Sequence, residues 1–86
     1  MVLDMTATWC PPCKRIGPVF EAMADEPDYF QRALFRKVDV DDTREVAQQL
    51  EVKAFPTFIM FKDGQEVERF AGANEEKLRA MVSSYI

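Results

Sequence analysis

The chain has no histidine, only two cysteines, three glycines and one tryptophan among 86 residues. Two cysteines build no disulfide framework, because no third or fourth is present to staple loops. Nor do they complete the four-ligand site that structural zinc takes within one chain, so no metal site is expected. Nowhere do 18 apolar residues run together, so no membrane-spanning helix is expected. The densest apolar run, FPTFIMF at 55–61, is far too short. The opening MVLDMTATW has neither a basic n-region nor a long apolar h-region, so no secretory signal is expected. Basic charge is also scarce. Eleven Lys and Arg face 15 Asp and Glu, for a net charge of −4 and a pI of about 4.7. Nucleic acid as main partner needs a basic patch, and this balance argues against it.

What remains is an ordinary globular composition, 48% hydrophobic and 30% charged. The length fits one domain over 1–86. Its core is modest, since a domain of this size buries only roughly 60–65% of the surface its unfolded chain exposes.

Val2 to Ala7 reads as a short strand interrupted by Asp4. From Pro11 to Ala24, Ile16, Val19, Phe20 and Met23 recur at helical spacing, with a kink expected at Pro18. DEPDYF reads as a loop and Leu34 to Val40 as a second strand. Asp42 and Glu45 have the spacing of a capping box at the start of a helix over 43–50, with Val46, Ala47 and Leu50 inward. Asp39, Asp41 and Asp42 lack the glycine and distal glutamate of a calcium loop, so capping and a solvated turn explain them. Thr57 to Phe61 is apolar on both faces and reads as a central strand. Lys62-Asp63-Gly64 is a hairpin signal, and Gln65 to Phe70 returns. Gly72 marks a turn, and Asn74 caps a last helix with Leu78, Met81, Val82 and Tyr85 on one stripe. The order β-α-β-α-β-β-α implies an α/β fold: a mixed four-stranded sheet flanked by helices, opening with a parallel crossover.

Both cysteines lie in TATWCPPCKRIGP, residues 6–18. With Cys10 as N-cap, Pro11 and Pro12 occupy first-turn positions whose amides lack intrahelical partners anyway. Pro12 has no amide to offer, so the Cys13 N–H is the first-turn donor left for the Cys10 sulfur. The helix dipole adds roughly half a positive charge there. Both effects lower the Cys10 pKa from about 8.5 toward about 7. Cys13 lies one turn deeper on the same face, within disulfide reach. The pair is therefore built for two-step exchange, attack by Cys10 and resolution by Cys13. A bare C-x-x-C is a weak signal, but here it follows a strand and opens a helix in a βαβ unit, which is the context redox chemistry demands.

ATWCPPCKRIGPVFE, KVDVDD and VKAFPTFIMFKDGQEVERFAGA resemble the thioredoxin family, in the W-C-P-P-C form common among plant h-type members. The resemblance covers nearly the whole chain. It implies reduction of protein disulfides, no bound cofactor, disulfide-bearing client proteins, and an NADPH-dependent thioredoxin reductase as electron donor. It implies that Cys10 is the exposed nucleophile and Cys13 the resolving cysteine, with Trp9 packed beside them. Asp4 corresponds to a buried aspartate. A carboxylate in an apolar strand is costly unless paired or working. With no histidine present, Asp4 is the best-placed base for Cys13, and its burial should raise its pKa. Lys37 corresponds to a lysine that pairs with that aspartate. Pro56 corresponds to a cis-proline, and Phe55 to the residue whose backbone receives substrate. Gly64 and Gly72 correspond to family glycines, and Gly72, with Pro11 and Pro12, falls on the substrate side.

The resemblance also has gaps. The family's first strand and helix, roughly twenty residues, have no counterpart, so the sheet edge at 34–40 is expected to be open. That fits a compact variant or a trimmed chain, as a monomer or weak dimer. Arg36 stands on that edge, where charge discourages pairing. Cysteine confined to one redox pair fits a reducing, cytoplasmic setting. Three other functions stay open: a disulfide oxidase or isomerase, a binding adaptor that keeps the fold, and a glutaredoxin-like role that W-C-P-P-C disfavours.

Overall fold

The computed structural model describes residues 1–86. Its elements are β1 (Val2–Thr6), α1 (Pro11–Met23), β2 (Phe35–Asp39), α2 (Arg44–Gln49), β3 (Thr57–Lys62), β4 (Gln65–Ala71) and α3 (Glu75–Ser84). This is the expected order, with boundaries moved by a residue or two. The sheet runs β2-β1-β3-β4. β1 pairs parallel with β2 and antiparallel with β3, and β3 pairs antiparallel with β4. β1 and β3 are thus interior strands, which is why VLDMT is buried throughout and TFIM is apolar on both faces. β2 stands at an edge, with Arg36 exposed.

Strand alternation sends side chains to two cores. Val2 of β1 joins Phe58 and Met60 of β3 against Ile16, Phe20 and Met23 of α1 and Leu78, Met81 and Val82 of α3. Leu3, Met5 and Ile59 point the other way, onto Ala47 of α2. The two-residue turn between β3 and β4 places Asp63 at φ 55° and Gly64 at φ 80°, the left-handed pair that an Asp-Gly hairpin supplies. Asn74 caps α3 as expected, its Oδ1 accepting the Lys77 N–H at 3.0 Å.

The capping box at α2 does not form. The N-cap is Thr43, with no side-chain cap bond. Its hydroxyl instead donates to the Asp39 carbonyl at 2.8 Å, while Asp39 Oδ1 accepts the Asp41 N–H at 2.9 Å. The polar groups that would cap the helix close the preceding turn. The segment read as a plain loop after α1 also does structural work. Tyr29 is 4% exposed, buried in the larger core, and its hydroxyl lies 3.2 Å from Ser83 Oγ. Glu26 accepts two bonds from the Arg79 guanidinium, tying that loop to α3.

Candidate active site

The C-terminal end of β1 delivers the chain to the N-terminus of α1, where Cys10 is the N-cap in extended backbone and Pro11 and Pro12 follow as the first two helical residues. Cys10 and Cys13 form a disulfide, their Cα atoms 5.3 Å apart. The Cys13 N–H donates to Cys10 Sγ at 3.3 Å, the one first-turn amide that the proline pair leaves available. The same sulfur lies 3.5 Å from the Phe55 carbonyl oxygen. Both cysteines are only 4% exposed. This corrects the expectation of an exposed Cys10. In the oxidised state its sulfur packs with Ala7 and Cys13 against Phe55 and Val40.

Phe55 and Pro56 face the cysteines from the loop before β3. Their peptide bond is cis. The Gly72 N–H donates to the Pro56 carbonyl at 2.9 Å, joining this loop to the end of β4. Gly72 sits at φ 113°, a region that other residues rarely adopt. Trp9 is 64% exposed, so it is no core aromatic. Its ring meets that of Phe55 edge-on, with centroids 5.7 Å apart. Pro11, Trp9, Phe55 and Gly72 therefore frame an apolar surface around a nearly covered sulfur.

Behind the disulfide, a cleft of about 500 Å³ runs between α1 and the ends of β1 and β2. Thr6, Cys13, Lys14, Glu21 and Lys37 are among the residues that line it. Asp4 lies two residues from Thr6 on the same face of β1. It is 1% exposed, and its Oδ1 has no hydrogen-bond partner. Burial pushes the Asp4 carboxyl up to about 6, against a smaller pull downward from Lys37 and with a small push upward from Glu21. Lys37 stands directly across from Asp4 in the β1–β2 register. Its ammonium nevertheless pairs with Glu21 Oε1 at 3.7 Å and makes no ion pair with Asp4. The expected Asp4–Lys37 pair is therefore corrected. Both Lys37 and Glu21 side chains are more than half exposed, and a hydrated cation gains more from a hydrated carboxylate than from following a buried one inward.

Sequence reasoning thus found the cysteines, the aspartate and the proline loop but missed Glu21. The signal was available: residues 13, 17 and 21 recur every fourth position and share a helix face.

The chain matches the family model described as Thioredoxin over residues 1–84. It is 45% identical to thioredoxin of Ictalurus punctatus over 85 residues, covering 99% of this chain and 78% of that protein. It is 47% identical to thioredoxin of Mus musculus over the same length and with the same coverage. The crystal structure of Fasciola hepatica thioredoxin superposes with a TM-score of 0.93 at 47% identity, over 99% of this chain and 79% of that one. Fold, cysteine pair and sequence all agree: the chain belongs to the thioredoxin family and is a thiol–disulfide oxidoreductase with thioredoxin-type dithiol–disulfide reductase function.

Proposed function

We propose that Cys10 is the attacking thiol and Cys13 the resolving thiol in reduction of protein disulfides, with Asp4 as the base for Cys13. The observation that carries this is the Cys13 N–H aimed at Cys10 Sγ at the start of α1. That amide and the helix dipole stabilise negative charge on Cys10 and not on Cys13. In the reduced protein the Cys10 thiolate attacks one sulfur of a client disulfide. The client S–S bond breaks, the departing thiolate takes a proton, and a mixed disulfide forms. Cys13 then gives its proton to Asp4 and attacks Cys10 Sγ, releasing the second client thiolate, which is protonated in turn. Two electrons pass from the pair to the client; of the two protons the client thiols take up, one comes from solvent and one balances the Cys13 proton left on Asp4.

Asp4 suits this role because burial lifts its carboxyl to about 6, so at neutral pH it is ionised yet far more basic than an ordinary aspartate. Phe55 offers its backbone to an extended client segment, as in strand addition. Trp9, Pro11, Pro12, Pro56 and Gly72 supply the apolar surround. Residues 1–86 work as one domain, as a monomer or weak dimer. The dithiol is restored by a thioredoxin reductase fed by NADPH, in a reducing, cytoplasmic setting.

Replacing the resolving thiol tests the order of attack. Cys13→Ser protein, mixed with a disulfide-bonded client, accumulates a client adduct joined through Cys10, visible on non-reducing gels and released by dithiothreitol. Cys10→Ser protein under the same conditions accumulates none. Trapping through Cys13 instead would reverse the two roles, and trapping through neither would leave a binding module without exchange chemistry.

A further inference from the structure

β1 and β2 run parallel with Asp4 opposite Lys37, so both side chains stand on the face that α1 covers. A buried carboxylate with one unpartnered oxygen attracts a neighbouring ammonium, against the cost of drying it. Here the lysine is held elsewhere. Glu21 reaches from α1, two turns beyond Cys13, and takes the Lys37 ammonium at 3.7 Å, at the rim of the cleft that also reaches Cys13.

We infer that Glu21 is a positioning residue for the exchange: by holding the Lys37 ammonium at the cleft rim it keeps that cation off Asp4, and so sets the basicity of the group that takes the Cys13 proton. This rests on the role proposed above for Asp4. The electrostatic directions agree with the geometry. Lys37 lowers the Asp4 carboxyl and Glu21 raises it, so removing Glu21 removes an opposing charge and frees a favourable one. The other charged groups on the cleft are Lys14 of α1 and Asp39 of β2, one of each sign. Across the rest of that face, β3 brings Phe58 and α3 brings Leu78, Met81 and Val82, none of them titratable. The pair is not there for stability. Its side chains are 53% and 64% exposed, and ion pairs so exposed contribute little to folding.

The test reads Asp4 directly. Its carboxyl ¹³C shift is titrated in the reduced wild-type protein, in Glu21→Gln, in Lys37→Met and in the double variant. Alongside runs the pH profile of client release from a preformed mixed disulfide in single turnover. In Glu21→Gln the Asp4 midpoint falls by about half a unit to one unit, and the acid limb of release moves down with it. Lys37→Met moves the midpoint upward. In the double variant the Glu21→Gln effect shrinks by at least half, because no ammonium remains to be freed. An unmoved midpoint in Glu21→Gln overturns the inference. So does a shift undiminished without Lys37, which would make Glu21 a plain neighbouring charge. Asp4→Asn separates the two levels: an acid limb that survives in it refutes Asp4 as the base, whereas the ¹³C titration still decides whether Glu21 sets its titration.

Discussion

Replacing Cys10 by serine reduces turnover of a disulfide substrate on the order of a thousandfold or more, measured as thiol release from an aromatic disulfide at pH 7. A hydroxyl is not ionised at that pH and forms no stable bond to sulfur, so the first step is lost outright. No other group substitutes. Cys13 is the only remaining sulfhydryl; it lies one helical turn behind Cys10, and the first-turn amide that serves the Cys10 sulfur is its own N–H. The fold survives, because serine keeps an N-cap acceptor for the Cys13 amide. The circular dichroism spectrum and melting temperature of the variant therefore stay near those of the reduced wild type. Substantial turnover in Cys10→Ser would place the reactive thiol elsewhere.

The second large effect falls on Asp4, and it has opposite signs for stability and rate. Burial raises the Asp4 carboxyl from its ordinary 3.8 to about 6 in the folded protein. A group that binds its proton more tightly when folded loses stability as pH rises between those two values. The cost is absent below about 3.8, where both states are protonated, and complete above about 6. A shift of this size corresponds to about 3 kcal/mol. Asp4→Asn removes the charge at nearly constant volume. Its oxidised form is thus as stable as wild type near pH 3.5 and more stable by about 2–3 kcal/mol at pH 7.5, read from urea midpoints across that range. The same substitution slows release of client from the mixed disulfide by about a hundredfold at pH 7, the ordinary contribution of a positioned base. A variant both more stable and slower marks a buried charge kept for chemistry. Equal stability at both pH values would show that burial does not raise the Asp4 carboxyl and that its charge costs the fold nothing.

Much of this was legible in the chain. The run of apolar residues on both faces of 57–61 is the direct consequence of an interior strand, and Asp-Gly at 63–64 is the direct consequence of a two-residue hairpin. Pro11 and Pro12 suit the first turn of a helix, where a missing N–H costs nothing, so they located the helix start and, with it, the amide that serves Cys10. Asp4 stood out because a carboxylate is misplaced among Val2, Leu3 and Met5. What the chain concealed involved choices among partners. Thr43 and Asp39 bond each other's turn rather than capping α2, a competition between local hydrogen bonds of similar strength. Lys37 takes Glu21 over Asp4, which depends on how far each carboxylate is from water. Tyr29 follows a helix end in a polar segment, and only the packing of α3 against α1 shows that it enters the core. The near-complete cover of Cys10 comes from the Phe55 loop, some 45 residues distant in sequence.

The most direct test of the central claim, reductive dithiol–disulfide exchange at Cys10 and Cys13, is a redox titration followed by Trp9 fluorescence in graded thiol–disulfide buffers. Trp9 is the only tryptophan, adjoins Cys10 and meets Phe55 edge-on, so its emission reports the disulfide. The expected result is a single two-electron transition near about −270 mV, the potential characteristic of thioredoxin. A midpoint between about −180 and −120 mV would instead describe an oxidant or isomerase, and a folded sample with no transition would contradict exchange chemistry at this pair altogether.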